Sequence, residues 1–338
     1  MAMPAEPILA SALWQPAQAK GDCGSKPLHS RLSATGVKEL EDVLGRCLGP
    51  GQVTCVSAEP GSGERELCEA IVTAHLLSST HTTVTVVDTG SFSDIRKIYQ
   101  SVTSRFQGGA NASKEALRVL DRLKIMKVFD FEGLTDAISE LRQSLEEPRR
   151  APTVGIRPHS GPKGTIGDSE DEDEMLDIES PSNQPAKQAR PNPVPAPQAH
   201  GLVLIDNLPQ VIGPLLKSNY AHGQALLMSF TRSLSHLSST HGLCTAIVNG
   251  TASSAKTKEE SPSAFSSCAV RPLLGKAFTH LLDTHLLVHR TLKRSREARN
   301  DPSGEVSVVE ILQDRNGNGV GRWAAFTIDP TGNLKGLE

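Results

Sequence analysis

The sequence predicts an α/β fold with a mainly parallel central sheet and antiparallel strands added toward the C-terminus. Three observations predict it. Short apolar runs alternate with longer segments of helical period, the pattern of a parallel sheet covered by helices on both faces. A glycine-rich turn joins the first apolar run to the first helical one. Near the end of the chain, Asn316-Gly317-Asn318-Gly319 separates two strand-like runs, a strong hairpin signal.

Taken in order, Val53, Cys55 and Val56 make a short buried strand. Leu67, Ala70, Ile71 and Ala74 recur at i, i+3, i+4 and i+7, one face of an amphipathic helix. Residues 84–87 form a second strand that ends in Asp88. A helical pattern over 114–123 leads to a third strand over 126–131. The fourth, residues 202–205, ends in Asp206. A long helix carrying Leu226, Leu227, Phe230, Leu234 and Leu237 precedes a fifth strand over 245–249. His280, His285 and His289 lie in or beside a strand-like run, with no cysteine or carboxylate at metal spacing, and read as structural. Residues 306–311 and 323–328 flank the hairpin signal.

The turn after the first strand, within GQVTCVSAEPGSGERE (residues 51–66), stands where a P-loop would stand. A working G-x-x-x-x-G-K-[ST] wraps phosphates in backbone N–H groups, reaches them with a lysine and holds Mg²⁺ with a hydroxyl. Aligned on Gly63, this chain has Ala58 for the first glycine, Glu64 for the lysine and Arg65 for the hydroxyl residue. Gly61 and Gly63 keep the backbone permissive, and Ser62 lies between them. A carboxylate in place of the ammonium repels phosphate. Asp206, after four apolar residues, has the form of a Walker B aspartate, and a helix cap or turn residue is the plainer alternative.

Five stretches in sequence order carry a resemblance: RLSATGVKELEDVLGRCLGPGQVT (31–54), VVDTGSFSDIRKI (86–98), GLVLIDNLPQVIGPLL (201–216), RPLLGKAFTHLLDTHLLVHR (271–290) and VVEILQDRNGNGVGRWAAFTI (308–328). Together they resemble the ATPase core of the RecA-type recombinases, and within them the eukaryotic recombinase paralogs; the stretch PLLKSNYAHGQALLMSFTRSLSHLSSTHG (214–242) looks nearest the D-type paralog. The resemblance implies a RecA-like core over 31–147 and 201–330. It implies Asp206 as the Walker B remnant and Gly90 at the position where the family carries the glutamate that polarises water. With the lysine, the hydroxyl and that glutamate all replaced, efficient hydrolysis is not expected, and no catalytic residue is assigned. Gly61, Ser62, Gly63, Arg65 and Asp206 are the candidates for weak binding of ATP with magnesium, which stays open. The implied partners are other recombinase paralogs, the strand-exchange recombinase and single-stranded DNA, and the implied compartment is the nucleus. An active DNA-dependent ATPase and an adaptor unrelated to DNA are the alternatives.

Composition agrees with a globular core plus additions. The 338 residues carry a net charge of −3, so any nucleic-acid contact must be local. Six cysteines form no C-x-x-C pair or metal spacing, and Cys55 and Cys68 fall at core-like positions, which suits a reducing compartment. No apolar run approaches a membrane span, and no signal-peptide pattern opens the chain. Residues 1–30 read as a flexible arm, with no room for a helical DNA-binding domain before the core. Residues 148–200, rich in Pro, Ser, Gln and Asn, read as a disordered insertion. It holds the acidic run DSEDEDE (168–174), extended by Asp177 and Glu179, where Ser169 suits an acidophilic kinase.

DNA contact is expected from the loops after the fourth and fifth strands. The second of these offers Lys256 and Lys258 and leads to Arg271 and Lys276, partly offset by Glu259 and Glu260. A solvated loop is the plain alternative. Arg290, Lys293, Arg294, Arg296 and Arg299 form a denser basic patch, open to reading as an import signal, a DNA-facing rim or a solvated turn.

Overall fold

A computed structural model describes residues 37–45, 47–90, 95–106, 111–146, 201–253, 262–292 and 304–337. The arm over 1–30, the insertion over 148–200, Lys256, Lys258 and the basic residues 293–299 lie outside the described residues. In chain order the elements are α1 (Lys38–Leu44), β1 (Val53–Ala58), α2 (Glu64–Ser78), β2 (Val84–Asp88), α3 (Ile95–Arg105), α4 (Ala112–Leu120), β3 (Leu123–Lys127) and α5 (Phe131–Glu146). After the insertion come β4 (Leu202–Asp206), α6 (Leu208–Ser218), α7 (Tyr220–His241), β5 (Cys244–Ser253), β6 (Val270–Pro272), α8 (Gly275–Thr279), β7 (Thr284–Leu292), β8 (Glu305–Asp314), β9 (Trp323–Ile328) and β10 (Leu334–Gly336).

One sheet runs in the order β10-β9-β8-β7-β1-β5-β4-β2-β3, with β6 paired to β5. From β3 to β7 every neighbouring pair on that path is parallel, while β8, β9 and β10 add antiparallel strands beyond β7. β1 is buried at all six positions because it lies inside the sheet with helices on both faces. Val56 and Ala58 face a core shared with α1, α2, α3 and α4, whereas Val53 and Cys55 face one shared with α5, α6, α7 and Phe278 of α8. Strands from both sides of residues 147–200 meet here, since β4 pairs with β2 and β5.

Three expectations are corrected. The third strand spans Leu123–Lys127 rather than 126–131, and the preceding helix stops at Leu120. β3 is a sheet edge with half-buried or exposed side chains, so its sequence carries no apolar run. The apolar residues Val128 and Phe131 belong instead to the turn and to the start of α5. Second, the segment after β4 is helix α6, not a loop. Its Asn207 side chain accepts the Gln210 N–H (3.0 Å) as an N-cap, and Pro209 sits in the first turn, where no N–H is needed. Third, the fifth strand continues to Ser253 and turns back through β6 as a hairpin, so the chain after Gly250 is strand at its base. β10 carried no sequence signal.

The hairpin around 316–319 connects β8 and β9 as expected, and Asp314 Oδ2 accepts the Gly319 N–H (2.9 Å). α6 and α7 cross closely at Gly223, where a Cβ would lie 2.9 Å from the Leu216 backbone nitrogen. Backbone cannot yield there, so Gly223→Ala is expected to destabilise the fold by about 1–3 kcal/mol, read from a chemical-denaturation midpoint.

Candidate functional site

β1 delivers the chain into a turn whose geometry only glycine tolerates. Gly61 (φ +76°) and Gly63 (φ +89°) both adopt left-handed backbone, and Gly63 is the residue from which α2 starts. A Cβ on Gly63 would also lie 2.7 Å from Ile328 Cδ1 and 3.0 Å from Phe326 Cε2. The glycine expected for close approach of a phosphate is thus also required by β9 packing over the turn. The turn is tied to β7: the Glu59 N–H donates to the Val288 carbonyl (2.9 Å) and the Arg290 N–H to Glu59 Oε2 (3.0 Å).

Ser62 is fully buried, and its hydroxyl donates to the Val288 carbonyl at 3.3 Å while its N–H donates to Glu59 (3.0 Å). The Ser62 hydroxyl is therefore committed to β7 and its N–H to the turn. Of the five candidates, Arg65 and Asp206 line a common cleft of about 220 Å³; Gly61, Ser62 and Gly63 shape the turn behind it. The other walls are Ala58, Pro60, Glu64, Cys68, Gly90, Asn207 and the β5 residues Val248, Asn249 and Gly250. β1 and β4 are not direct neighbours, because β5 runs between them and supplies the back wall.

The strand ends on the far side are stitched together. The Thr89 N–H donates to the Asp206 carbonyl (2.7 Å), and the Thr89 hydroxyl donates to the Asn207 carbonyl (2.8 Å). Asp88 is buried, pairs with Lys127 Nζ (2.9 Å) and accepts the Gly90 N–H (2.9 Å). Gly90, where the resemblance implies a glutamate, borders the cleft, and among the described residues nothing lies within 4 Å of where its Cβ would stand. The described residues leave room for that side chain, and the sequence lacks it.

Burial pushes the Asp206 carboxyl up from its ordinary 3.8 to about 6. The Asp88 charge raises it further, Arg65 lowers it, and Glu64 raises it. The Cys68 thiol is held well above its ordinary range, chiefly by burial and then by Asp206 and Glu64. All of this marks an acidic, partly desolvated site. ATP with magnesium does not fit it well. Glu64 lies where the lysine should, and the cleft is smaller than the ~300–1,000 Å³ usual for ligand pockets. Among the described residues no three His, Cys, Asp or Glu side chains are placed to hold a metal ion.

Beneath the cleft runs a buried polar chain that sequence reasoning missed. Thr279 Oγ1 lies 3.3 Å from His285 Nδ1, and His285 Nε2 lies 2.7 Å from Ser57 Oγ, which accepts from Asn249 Nδ2 (2.8 Å). Burial lowers the His285 pKa to about 4, so the imidazole is neutral, in keeping with a structural role. The available signal was the polar residue closing an apolar strand, as at Asn249.

The DNA candidates are placed only in part. Arg271 lies on β6 and Lys276 on α8, both exposed, in the segment that leaves the cleft rim where the Leu273 N–H donates to the Gly250 carbonyl (2.9 Å). Lys256 and Lys258 are outside the described residues.

The raised Asp206 pKa fixes a sign. The folded state holds this proton more tightly than the unfolded chain, so the group's contribution is full below about pH 4 and is lost as pH rises through about 6. Asp206→Asn is therefore expected to raise stability at neutral pH by about 1–3 kcal/mol, with the gain vanishing in acid; thermal melts across pH measure it.

No family model matches the sequence. Over 260 residues the chain is 21% identical to the DNA repair protein RAD51 homolog 4 of Bos taurus, a span of 77% of this chain and 62% of that one. Against the Mus musculus protein of the same name the identity is 23%, covering 77% and 61%. The chain thus spans about three fifths of the length of these curated relatives. Its fold is similar to that of the RadB recombinase crystal structure, with a TM-score of 0.50, 15% identity, and coverage of 90% of this chain and 99% of that one. By fold the chain is a RecA-type core, and by sequence its likeness runs to the recombinase paralogs.

Proposed function

We propose that the protein is a recombinase paralog that serves repair of DNA double-strand breaks by homologous recombination as a non-catalytic assembly subunit in the nucleus. One observation carries this. The turn after β1, the aspartate closing β4 and the residue two beyond β2 converge on one cleft, yet Glu64 and Gly90 stand where lysine and glutamate would bind phosphate and activate water. A core kept while its chemistry is replaced is useful for the surfaces it offers to related subunits and to the strand-exchange recombinase. The similarity to DNA repair proteins of Bos taurus and Mus musculus supports the same process. Nucleotide binding is weak at most, and single-stranded DNA contact is assigned to Lys256, Lys258, Arg271 and Lys276.

A second reading has its own support: Arg65 and Asp206 share the cleft, so a cation and a metal-binding carboxylate could serve an unconventional ATPase. Steady-state assays separate the two. No meaningful turnover is expected with or without single-stranded DNA, and turnover abolished by Asp206→Ala would establish the second reading. Glu64→Lys combined with Arg65→Thr is expected to tighten ATP binding about tenfold or more, measured by titration with a fluorescent nucleotide.

For the cellular role, affinity purification is expected to recover recombinase paralogs, and loss of the protein to sensitise cells to DNA-crosslinking agents. Binding to single-stranded DNA should weaken steeply with salt. Recovery of no recombination factor, together with unchanged damage survival, would leave a DNA-independent adaptor as the function.

A further inference from the structure

Residues 262–268 lie across the face of β7, β8 and β9 before the chain enters β6, and we infer that they form a clasp in which Glu310 is a positioning residue for single-stranded DNA contact. The inference rests on the DNA contact proposed above and says what holds one of its cations, Arg271, in place.

Alternation along β8 puts Val306, Val308 and Glu310 on one face, where the two valines pack with Ala325 and Phe265. Glu310 is only 1% exposed, so this apolar stripe ends in a buried carboxyl group. Both of its oxygens accept from the clasp: Oε2 from the Ser263 hydroxyl (2.6 Å) and Oε1 from the Ala264 N–H (2.7 Å). His289, fully buried alongside, keeps its Nε2 3.9 Å from Glu310 Oε2. Three further contacts hold the clasp down. The Phe265 N–H donates to Ser263 Oγ (3.0 Å). The Phe265 ring meets His289 and Trp323 edge to face, at centroid distances of 5.2 and 5.3 Å. Ser267 and Thr291 share a hydroxyl hydrogen bond of 3.1 Å.

A buried carboxyl group is a poor way to stabilise a sheet, because an apolar side chain of similar volume packs there without the desolvation penalty. What its two directional bonds add is register. Apolar packing alone tolerates a slip of the segment, whereas both oxygens accept only when Ser263 and Ala264 stand over β8. From that anchor the chain reaches Cys268, whose N–H donates to the Phe265 carbonyl (3.0 Å), and then β6, where Arg271 pairs with Ala252 of β5. Arg271 is exposed, and its backbone is set from two sides, by β5 and by the clasp. Fixing that segment before DNA arrives removes ordering entropy from the binding step.

The test compares Glu310→Leu with the natural full chain by fluorescence anisotropy of a labelled oligothymidylate. The variant is expected to bind about fivefold more weakly or worse. The salt dependence should keep its slope, because every cation is retained. The sign separates positioning from charge, since removing a negative group near a phosphate chain would by itself tighten binding. It also separates positioning from stability: the melting temperature is expected to stay within about 4 °C of the natural chain. Glu310→Gln, which keeps one acceptor oxygen, should recover part of the affinity. Combined with Arg271→Ala, Glu310→Leu should weaken binding by less than the product of the two separate effects, because it acts through that residue. The chain has two tryptophans, so in a Trp14→Phe background Trp323 reports alone, and its emission should shift to the red as Phe265 leaves it. Ser263→Ala with Phe265→Ala opens the clasp without touching the sheet. It is expected to weaken binding likewise, and it decides the matter if Glu310→Leu does not fold. Unchanged or tighter binding, an unshifted Trp323 emission, or a loss that tracks a falling melting temperature overturns the inference and leaves the DNA contact standing. Absence of salt-sensitive binding by the natural chain removes that contact and the clasp's role with it.

Discussion

Six buried residues of β1 pair in parallel with β5 on one side, five of them with β7 on the other, and every candidate position is referred to that strand. Parallel pairing lines up the C-terminal ends of neighbouring strands, so the turn after β1, the end of β5 and the end of β4 open on the same side of the sheet. The pairing of Ser57 with Asn249 sets the depth at which Asn249 meets the cleft. Slipping β1 by one residue would turn Ser57 from the polar chain toward the opposite core and place Val56 beside His285.

The antiparallel strands beyond β7 do more than extend the sheet. Phe326 is fully buried against the α1–α2 core, and with Ile328 it closes over Gly63. The turn is therefore clamped by strand packing from one side and by Glu59 bonds to β7 from the other. Ser62 spends its hydroxyl and N–H within that clamp. A turn held this way keeps its shape without a phosphate to organise it.

Charge then decides what the preserved shape is good for. An ammonium at the start of α2 would add to the helix-end partial charge in attracting phosphate, whereas Glu64 opposes it. Asp206, Asp88 and Glu64 reinforce one another's negative potential, and Asp206 holds its proton up to about pH 6 as a result of burial first and these neighbours second. Elsewhere the fold handles buried polarity differently. Glu310, 1% exposed, accepts the Ser263 hydroxyl (2.6 Å) and the Ala264 N–H (2.7 Å), fastening the chain after residue 261 to β8.

Much of the core was legible because the physics that forms it is local or periodic. Val53 to Val56, Val84 to Asp88 and Leu202 to Asp206 read as strands from apolar runs, and the helix through Leu227, Phe230, Leu234 and Leu237 reads from its period. The replacements Glu64, Arg65 and Gly90 needed only alignment on Gly63 and Asp88. The edge strand β3 was displaced in the reading because an edge needs no apolar face, and α6 was missed because Pro209 in a first helical turn looks like a loop residue. By itself, then, the sequence determined the alternation of strands and helices, the turn and the charges it carries. Only the tertiary structure decided that β5 intervenes between β1 and β4, that Asn249 forms the back wall, and that Gly63 answers to Phe326 and Ile328. Those facts depend on strand order and on contacts between residues far apart in the chain, which no local propensity encodes.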